Sequence, residues 1–182
     1  CKPGSRIAIF GVGGVGLAAI MAAKLVGCTT IIAVDLHEER LTLAKELGAT
    51  HGLNGKDAEL KQKIIALCGG EGLDYGIDTT GQPSVLQTGF ESLKQKGVMA
   101  LIGGSSKSVS IDMGLLLHGR TVRGIIQGDS VSDVYIPKMI AWWQQNNFPF
   151  DKLIQFYTFD QINEAVADMT KGVVVKPVLK FE

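Results

Sequence analysis

Four glycines in six residues, Gly11-Val12-Gly13-Gly14-Val15-Gly16, separate the apolar run Ile7-Ala8-Ile9-Phe10 from the helix-forming run Leu17 to Leu25. A chain that passes from strand to helix through so short a bend is restricted to a few folds, those in which helices cover a sheet. In the pattern G-x-G-x-x-G, Gly11 permits the tight turn, Gly13 removes a side chain that would collide with a pyrophosphate, and Gly16 lets helix and strand pack closely. Gly14 is additional to the pattern. The unpaired N–H groups of the first helical turn would face the phosphate oxygens, so a dinucleotide is the expected ligand and residues 11–16 its expected contacts. The competing reading is a flexible glycine loop without a ligand. Context favours the packed turn, since Ala18, Ala19, Ala22 and Ala23 are small enough to lie against a sheet.

A second apolar run, Thr30 to Val34, ends in Asp35 with Leu36 beside it, and Asp35 lies 19 residues beyond Gly16. That is the spacing of an acidic residue that accepts from an adenosine ribose hydroxyl. A carboxylate there repels a ribose 2′-phosphate by roughly 1 to 4 kcal/mol at contact, which favours NAD over NADP. Asp35 can alternatively cap the helix beginning near Glu38. Arg40 can approach the adenosine edge and tolerate a phosphate, or stay solvated on its helix.

With 182 residues and 46% hydrophobic content, the chain suits one domain, or one domain with an appendage, around a substantial core. Eighteen basic and eighteen acidic residues cancel, with no long run of one sign. Neither nucleic acid nor an anionic membrane is an expected partner. No apolar run reaches the length of a membrane span, and Cys1-Lys2-Pro3-Gly4-Ser5 has no secretory character, so a cytoplasmic location is expected. Cys1, Cys28 and Cys68 are far apart and form no C-x-x-C pair. They read as free thiols, and no metal site is expected within this chain.

Glu38 to Leu47 reads as a second helix stopped by Gly48, His51 to Leu53 as a third strand, and Asp57 to Cys68 as a third helix. Leu73 to Ile77 gives a fourth strand, Pro83 opens a helix to about Leu93, Gly97 to Ile102 gives a fifth strand and Thr121 to Ile126 another. Strands alternating with covering helices specify an α/β, doubly wound parallel sheet, whose ligands collect beyond the carboxyl ends of the strands. Asp78-Thr79-Thr80-Gly81 and Gly103-Gly104-Ser105 then join the glycine loop and Asp35 as candidate pocket walls. For Thr79, Thr80 and Ser105, turn and capping chemistry is the competing explanation. Asp133 to Asn146 is expected to be a helix with Ile136, Met139, Ile140 and Trp143 on its core face and Trp142 off that stripe. Phe159 to Met169 and Val173 to Phe181 supply a last helix and strand, a tail for which no completing strand is evident. The expected division is a dinucleotide-binding domain over residues 1–150 and a C-terminal segment over 151–182.

These residues resemble the C-terminal cofactor domain, a Rossmann fold, of the zinc-dependent medium-chain alcohol dehydrogenases, and more narrowly the aryl-alcohol (benzyl-alcohol) type. The resemblance spans almost the whole chain. It is carried by Lys2-Pro3-Gly4-Ser5 with the glycine loop, Ala33-Val34-Asp35, Ala44-Lys45-Glu46-Leu47-Gly48-Ala49-Thr50 and Asp78-Thr79-Thr80-Gly81. The narrower assignment rests on Gly119-Arg120-Thr121-Val122-Arg123-Gly124, Gln127-Gly128-Asp129-Ser130, Ile162-Asn163-Glu164-Ala165 and Lys176-Pro177-Val178-Leu179.

The resemblance implies hydride transfer between an alcohol and NAD, with zinc polarising the alcohol oxygen from an N-terminal domain absent here. It implies that the tail packs on that domain, that the fragment is inactive alone, and that no catalytic or metal residue lies in it. It places the adenosine ribose near Asp35, Leu36 and Arg40, adenosine beside Thr79 and Thr80, and the nicotinamide ribose along Ile102, Gly103 and Gly104. Ile125 and Gln127 match positions flanking the carboxamide, and Lys176 a basic position near the pyrophosphate, with a solvated strand-end lysine as its alternative. The implied partners are NAD(H) and a small alcohol or aldehyde. A homo-oligomer, dimer or tetramer, is expected through a strand at Val109-Ser110-Ile111 pairing with its two-fold mate. Two other readings keep the glycine loop: a zinc-independent, quinone reductase-like NADPH enzyme, against which Asp35 argues, and a regulatory nucleotide-sensing or methyl-transfer module.

Overall fold

In the computed structural model, which describes residues 1–181, six strands form one parallel sheet in the order β3-β2-β1-β4-β5-β6. They are β1 (Arg6–Phe10), β2 (Thr30–Asp35), β3 (His51–Asn54), β4 (Leu73–Asp78), β5 (Leu93–Leu101) and β6 (Thr121–Gly124). Between them run α1 (Gly14–Val26), α2 (Glu38–Leu47), α3 (Leu60–Leu67), α4 (Pro83–Glu91) and α5 (Met113–Leu117), followed by α6 (Ser132–Gln144).

Alternation along β1 explains why both sheet faces are covered. Ile7 and Ile9 enter one cluster with Leu17, Ile20 and Met21 of α1 and Leu41 of α2. Ala8 and Phe10 enter another, with Ile64 of α3 and Leu86 and Phe90 of α4. A strand buried on both sides must be apolar at every position, as this one is beyond Arg6. Chain order reverses between β1 and β4, so their carboxyl ends diverge into a crevice at the switch point.

At the opposite end of the sheet, the Arg6 N–H donates to Asp74 Oδ2 at 2.8 Å, and Asp74 also pairs with Lys94. Burial pushes the Asp74 carboxyl up, but the bonds from Lys94 and Arg6 outweigh it and hold the group below the ordinary carboxylate range.

Several boundaries differ from expectation. α4 ends at Glu91, and β5 starts at Leu93 instead of Gly97, carrying a register irregularity opposite Leu73/Tyr75. α3 begins at Leu60 instead of Asp57, β6 stops at Gly124, and α5 was not anticipated. Val109-Ser110-Ile111 forms no strand; Val109 and Ile111 lie half-buried against the second cluster instead. Isolated from a pairing strand, three residues have no ladder to join.

The face of α6 is also corrected. Met139 and Trp142 are the residues packed on the first cluster, whereas Ile136, Ile140 and Trp143 are exposed. The Trp143 indole N–H instead donates to Asp151 Oδ1 at 2.8 Å.

In the tail, β7 (Ile154–Thr158), α7 (Ile162–Lys171) and β8 (Lys176–Lys180) form a second, two-stranded parallel sheet. β7 is the completing strand that the sequence pattern hid. Its Tyr157 packs with Ala165 and Val174 in a small separate cluster, and its hydroxyl donates to Asp168 Oδ2 at 3.0 Å. Cys1 is exposed, Cys28 half-buried and Cys68 buried, all as free thiols. Burial raises the thiol pKa of Cys28 and of Cys68. Among the described residues no helix is long and apolar enough to cross a membrane.

Candidate functional site

The glycine corner is built from three glycines with three different physical reasons. Gly11 has φ +84°, and a Cβ there would lie 2.6 Å from Thr79 Oγ1 and 2.7 Å from Thr80 Cγ2. Gly16 is buried, and a Cβ there would lie 2.0 Å from the Gly11 carbonyl oxygen and 3.3 Å from Ile9 Cγ2, so only hydrogen lets α1 settle on β1. Gly13 differs: a Cβ there meets nothing within 4 Å. The protein's own packing places no demand on Gly13, so its bare backbone leaves space for a group from outside.

That space is lined by donors. The Gly11 N–H donates to Val34 O at 2.8 Å, and the Leu17 N–H begins the helical ladder on Gly13 O at 2.9 Å. Among the described residues, the N–H groups of Gly13, Gly14, Val15 and Gly16 have no backbone or side-chain acceptor. α1 has neither a side-chain cap nor an acidic residue in its first turn, so the positive end of the helix is left for an external anion. Val12 departs from expectation: its side chain is in the core and its N–H donates to Asp35 Oδ2 at 2.8 Å.

Asp35 is 8% exposed and serves two ends at once. Its Oδ1 accepts from the N–H groups of Leu36 and His37 at 2.8 and 3.1 Å, starting α2, while Oδ2 holds the glycine loop through Val12. The capping reading and the ribose reading are therefore compatible. Oδ2 takes only one short protein bond, with Arg40 Nη1 4.0 Å away, and retains a lone pair toward the cleft.

The cleft itself measures about 370 Å³ and runs from Gly11 and Gly13 past Asp35, Leu36 and Arg40 to Thr79 and Thr80. Thr79 Oγ1 donates to Gly11 O at 2.8 Å, and Thr80 Oγ1 to Asp78 Oδ1 at 2.7 Å. Both threonines thus brace the walls, as turn chemistry predicts, while lining the space. Phe10, Val34, His37, Gly55, Gln82 and Val85 also line it and were not singled out from sequence. Their signal is weak, because they are ordinary strand-end and helix-start residues that only the side-by-side pairing of β2, β1 and β4 brings together.

Gly103 belongs to a smaller neighbouring recess of about 170 Å³ with Asp78, Gly81 and Ser105. A Cβ on Gly103 would lie 2.5 Å from the Gly81 nitrogen, so the turns after β4 and β5 touch backbone to backbone. Ile102 is half exposed beside it, and Gly104 has open space on its Cβ side. Ile125 continues the sheet edge through its N–H to Leu101 O at 2.9 Å, and Gln127 follows in a left-handed conformation, φ +51°. Lys176 opens β8 directly after Val175, whose Cγ1 lies 3.8 Å from the Cβ position of Gly14. The tail therefore lies against the glycine corner. Among the described residues no group of three or more His, Cys, Asp or Glu side chains is arranged to hold a metal ion.

A parallel sheet with a glycine-rich turn at its switch point and an acidic residue ending the neighbouring strand defines a nucleotide-binding domain of the Rossmann class. The protein-family profile described as "Zinc-binding dehydrogenase" matches residues 14–145, and the chain belongs to that family. Geraniol dehydrogenase of Castellaniella defragrans is 38% identical over 183 positions, covering 98% of this chain and 49% of that protein. Two crystal structures superpose along the whole chain. One is an alcohol dehydrogenase zinc-binding domain protein from Burkholderia ambifaria, 43% identical with TM-score 0.95, of which 50% is covered. The other is the benzyl alcohol dehydrogenase of Acinetobacter calcoaceticus, 38% identical with TM-score 0.96, of which 51% is covered. The chain spans about half the length of the curated relatives it matches.

Proposed function

We propose that this chain binds NAD(H) and forms the cofactor half of an oxidoreductase that moves hydride between an alcohol and NAD. The observation that carries it is the glycine corner, where four unpartnered N–H groups surround a backbone position with no packing reason to be glycine. The diphosphate would sit on the amides of residues 13–16, the adenosine ribose against Asp35 and Arg40, and adenine along Thr79, Thr80 and the apolar wall of Val34, Leu36 and Val85. Gly103, Gly104, Ile102, Ile125 and Gln127 would line the nicotinamide end, with Lys176 near the diphosphate. When bound, the nicotinamide supplies the hydride acceptor; the protein residues bind and orient it.

Among the described residues no side-chain cluster fits zinc. In the proposal, metal and substrate pocket belong to the part of the relatives that this chain does not cover. The relatives named for geraniol and benzyl alcohol support an alcohol with an unsaturated or aromatic group next to the carbinol carbon as the substrate class.

Titration calorimetry tests the reading. Saturable NAD binding is expected, with NADP weaker; Gly13→Val is expected to keep the fold and lose NAD, because its side chain fills the ligand space. Folded protein that binds no NAD would refute the proposal, and a preference for NADPH would move it to the quinone reductase-like alternative. Self-association through residues 109–111 belongs to the same proposal, and a purely monomeric species by light scattering at high concentration would remove it.

A further inference from the structure

The loop joining α7 to β8 touches the candidate cofactor cleft at two points. Val175 lies against the start of α1, as described above. At the other point, Gly172 ends α7 in a left-handed conformation, φ +80°, with its N–H on Met169 O at 3.1 Å. The side of Gly172 where a Cβ would stand faces α2: that position is 3.5 Å from His37 Nδ1 and 3.6 Å from both Nε and Nη2 of Arg40. Both of these side chains line the cleft.

Arg40 itself is held in an unusual way. Its Nε is buried and has no hydrogen-bond partner among the described residues, and its Nη1 is at the outer limit of an ion pair with Asp35, 4.0 Å. A guanidinium with five donors is usually fixed by acceptors, and this one is fixed chiefly by what packs on it. Gly172 faces it with no side chain between, some 130 residues further along the chain.

We propose that Gly172 is a positioning residue for the adenosine end of the cleft: its bare Cα seats the Arg40 guanidinium beside Asp35, and so sets affinity for the ribose and tolerance of a 2′-phosphate. The inference rests on the NAD-binding reading above and extends it to the tail. A Cβ at 172 would stand at ordinary contact with His37 and Arg40, and the branches of a larger side chain would reach past it toward both. Moving the guanidinium away removes a donor to the ribose and leaves the Asp35 charge less compensated, which costs a 2′-phosphorylated cofactor more than an unphosphorylated one.

The test is a double-mutant cycle on cofactor affinity, with NAD and NADP titrated separately into wild type, Gly172→Val, Arg40→Ala and the double variant. Gly172→Val is expected to weaken NAD on the order of tenfold and NADP by more, and to have no further effect once Arg40 is alanine. If Gly172→Val does not fold, Gly172→Asn replaces it in the same cycle, since asparagine tolerates the left-handed conformation and its side chain extends beyond the Cβ position toward Arg40. A glycine needed only to end α7 would lower the thermal midpoint while leaving the NAD-to-NADP ratio as in wild type. That result, or equal weakening with and without Arg40, would overturn the proposal. Absence of NAD binding by wild type would refute the underlying reading instead, so the two failures are distinct.

Discussion

Helices α1 and α6 have the same length, 13 residues, and both are rich in apolar side chains, yet they end in opposite environments. α1 buries Leu17, Ile20 and Met21 completely against the sheet. α6 has no buried residue, and it leaves Ile136 54% and Ile140 44% exposed. The difference lies in what the chain brings to each helix. α1 follows β1 through a bend so tight that it must lie on the sheet, and every glycine and alanine on its inner side shortens that approach. α6 is reached through the irregular residues after β6, and only Met139 and Trp142 touch the first cluster. An apolar stripe therefore states which residues gain from burial, while the connection and the neighbour decide which obtain it.

The sharpest way to break this contrast is Gly16→Val. Its Cβ would run into the Gly11 carbonyl, a backbone group with no flexible end to yield. Loss of about 3 kcal/mol or more is expected, with separation of α1 from β1, measured by denaturant unfolding. If stability is unchanged, close packing at the corner is not what confines α1.

Ile20→Ala comes next. A fully buried isoleucine truncated to alanine leaves a cavity, and destabilisation of about 3 kcal/mol is expected in the same measurement.

A smaller effect is expected from the ionic cluster below the sheet. Asp74 ionises more readily in the folded protein than in the unfolded chain, so its stabilisation is complete above about pH 4. It is lost as pH falls through the depressed folded value. Asp74→Asn is expected to lower stability near neutral pH and to flatten the acid limb of a stability profile; an unaltered acid limb would show that this cluster contributes nothing to it.

The smallest effect should come from α6: Ile140→Ser is expected to change stability by no more than about 0.5 kcal/mol, because its side chain already meets solvent. A loss comparable to that of Ile20→Ala would erase the distinction between the two helices.

How much of the site was readable follows the same division between local and distant causes. Gly11, Gly16 and Asp35 could be assigned from spacing, since the turn, the helix start and the end of the next strand lie within 25 residues. The Val12 N–H donates to Asp35, a pairing that spacing alone does not reveal. His37, Gln82 and Val85 escaped notice because nothing in their own surroundings marks them; they line the cleft only because chain order reverses there. β7 is not legible in the sequence because Ile154-Gln155-Phe156-Tyr157-Thr158 acquires a partner only when Lys176–Lys180 returns to it. The core face of α6 is not legible in the sequence, because period and hydrophobicity rank the faces of a helix without saying which one a sheet will cover.

From the order of its residues alone, this chain determines an alternation of apolar strands and covering helices, a glycine bend between the first strand and helix, and an acidic group at the next strand end. Those features depend on φ/ψ limits, side-chain size and spacing within one βαβ unit, which act over a few residues. Tertiary structure alone decided that Asp35 holds both the loop and α2, that Gly172 of the tail faces His37 and Arg40, and which apolar residues of α6 stay in solvent. Each of these depends on contacts between segments far apart in the chain, and only the completed packing selects among the many partners that local pattern allows.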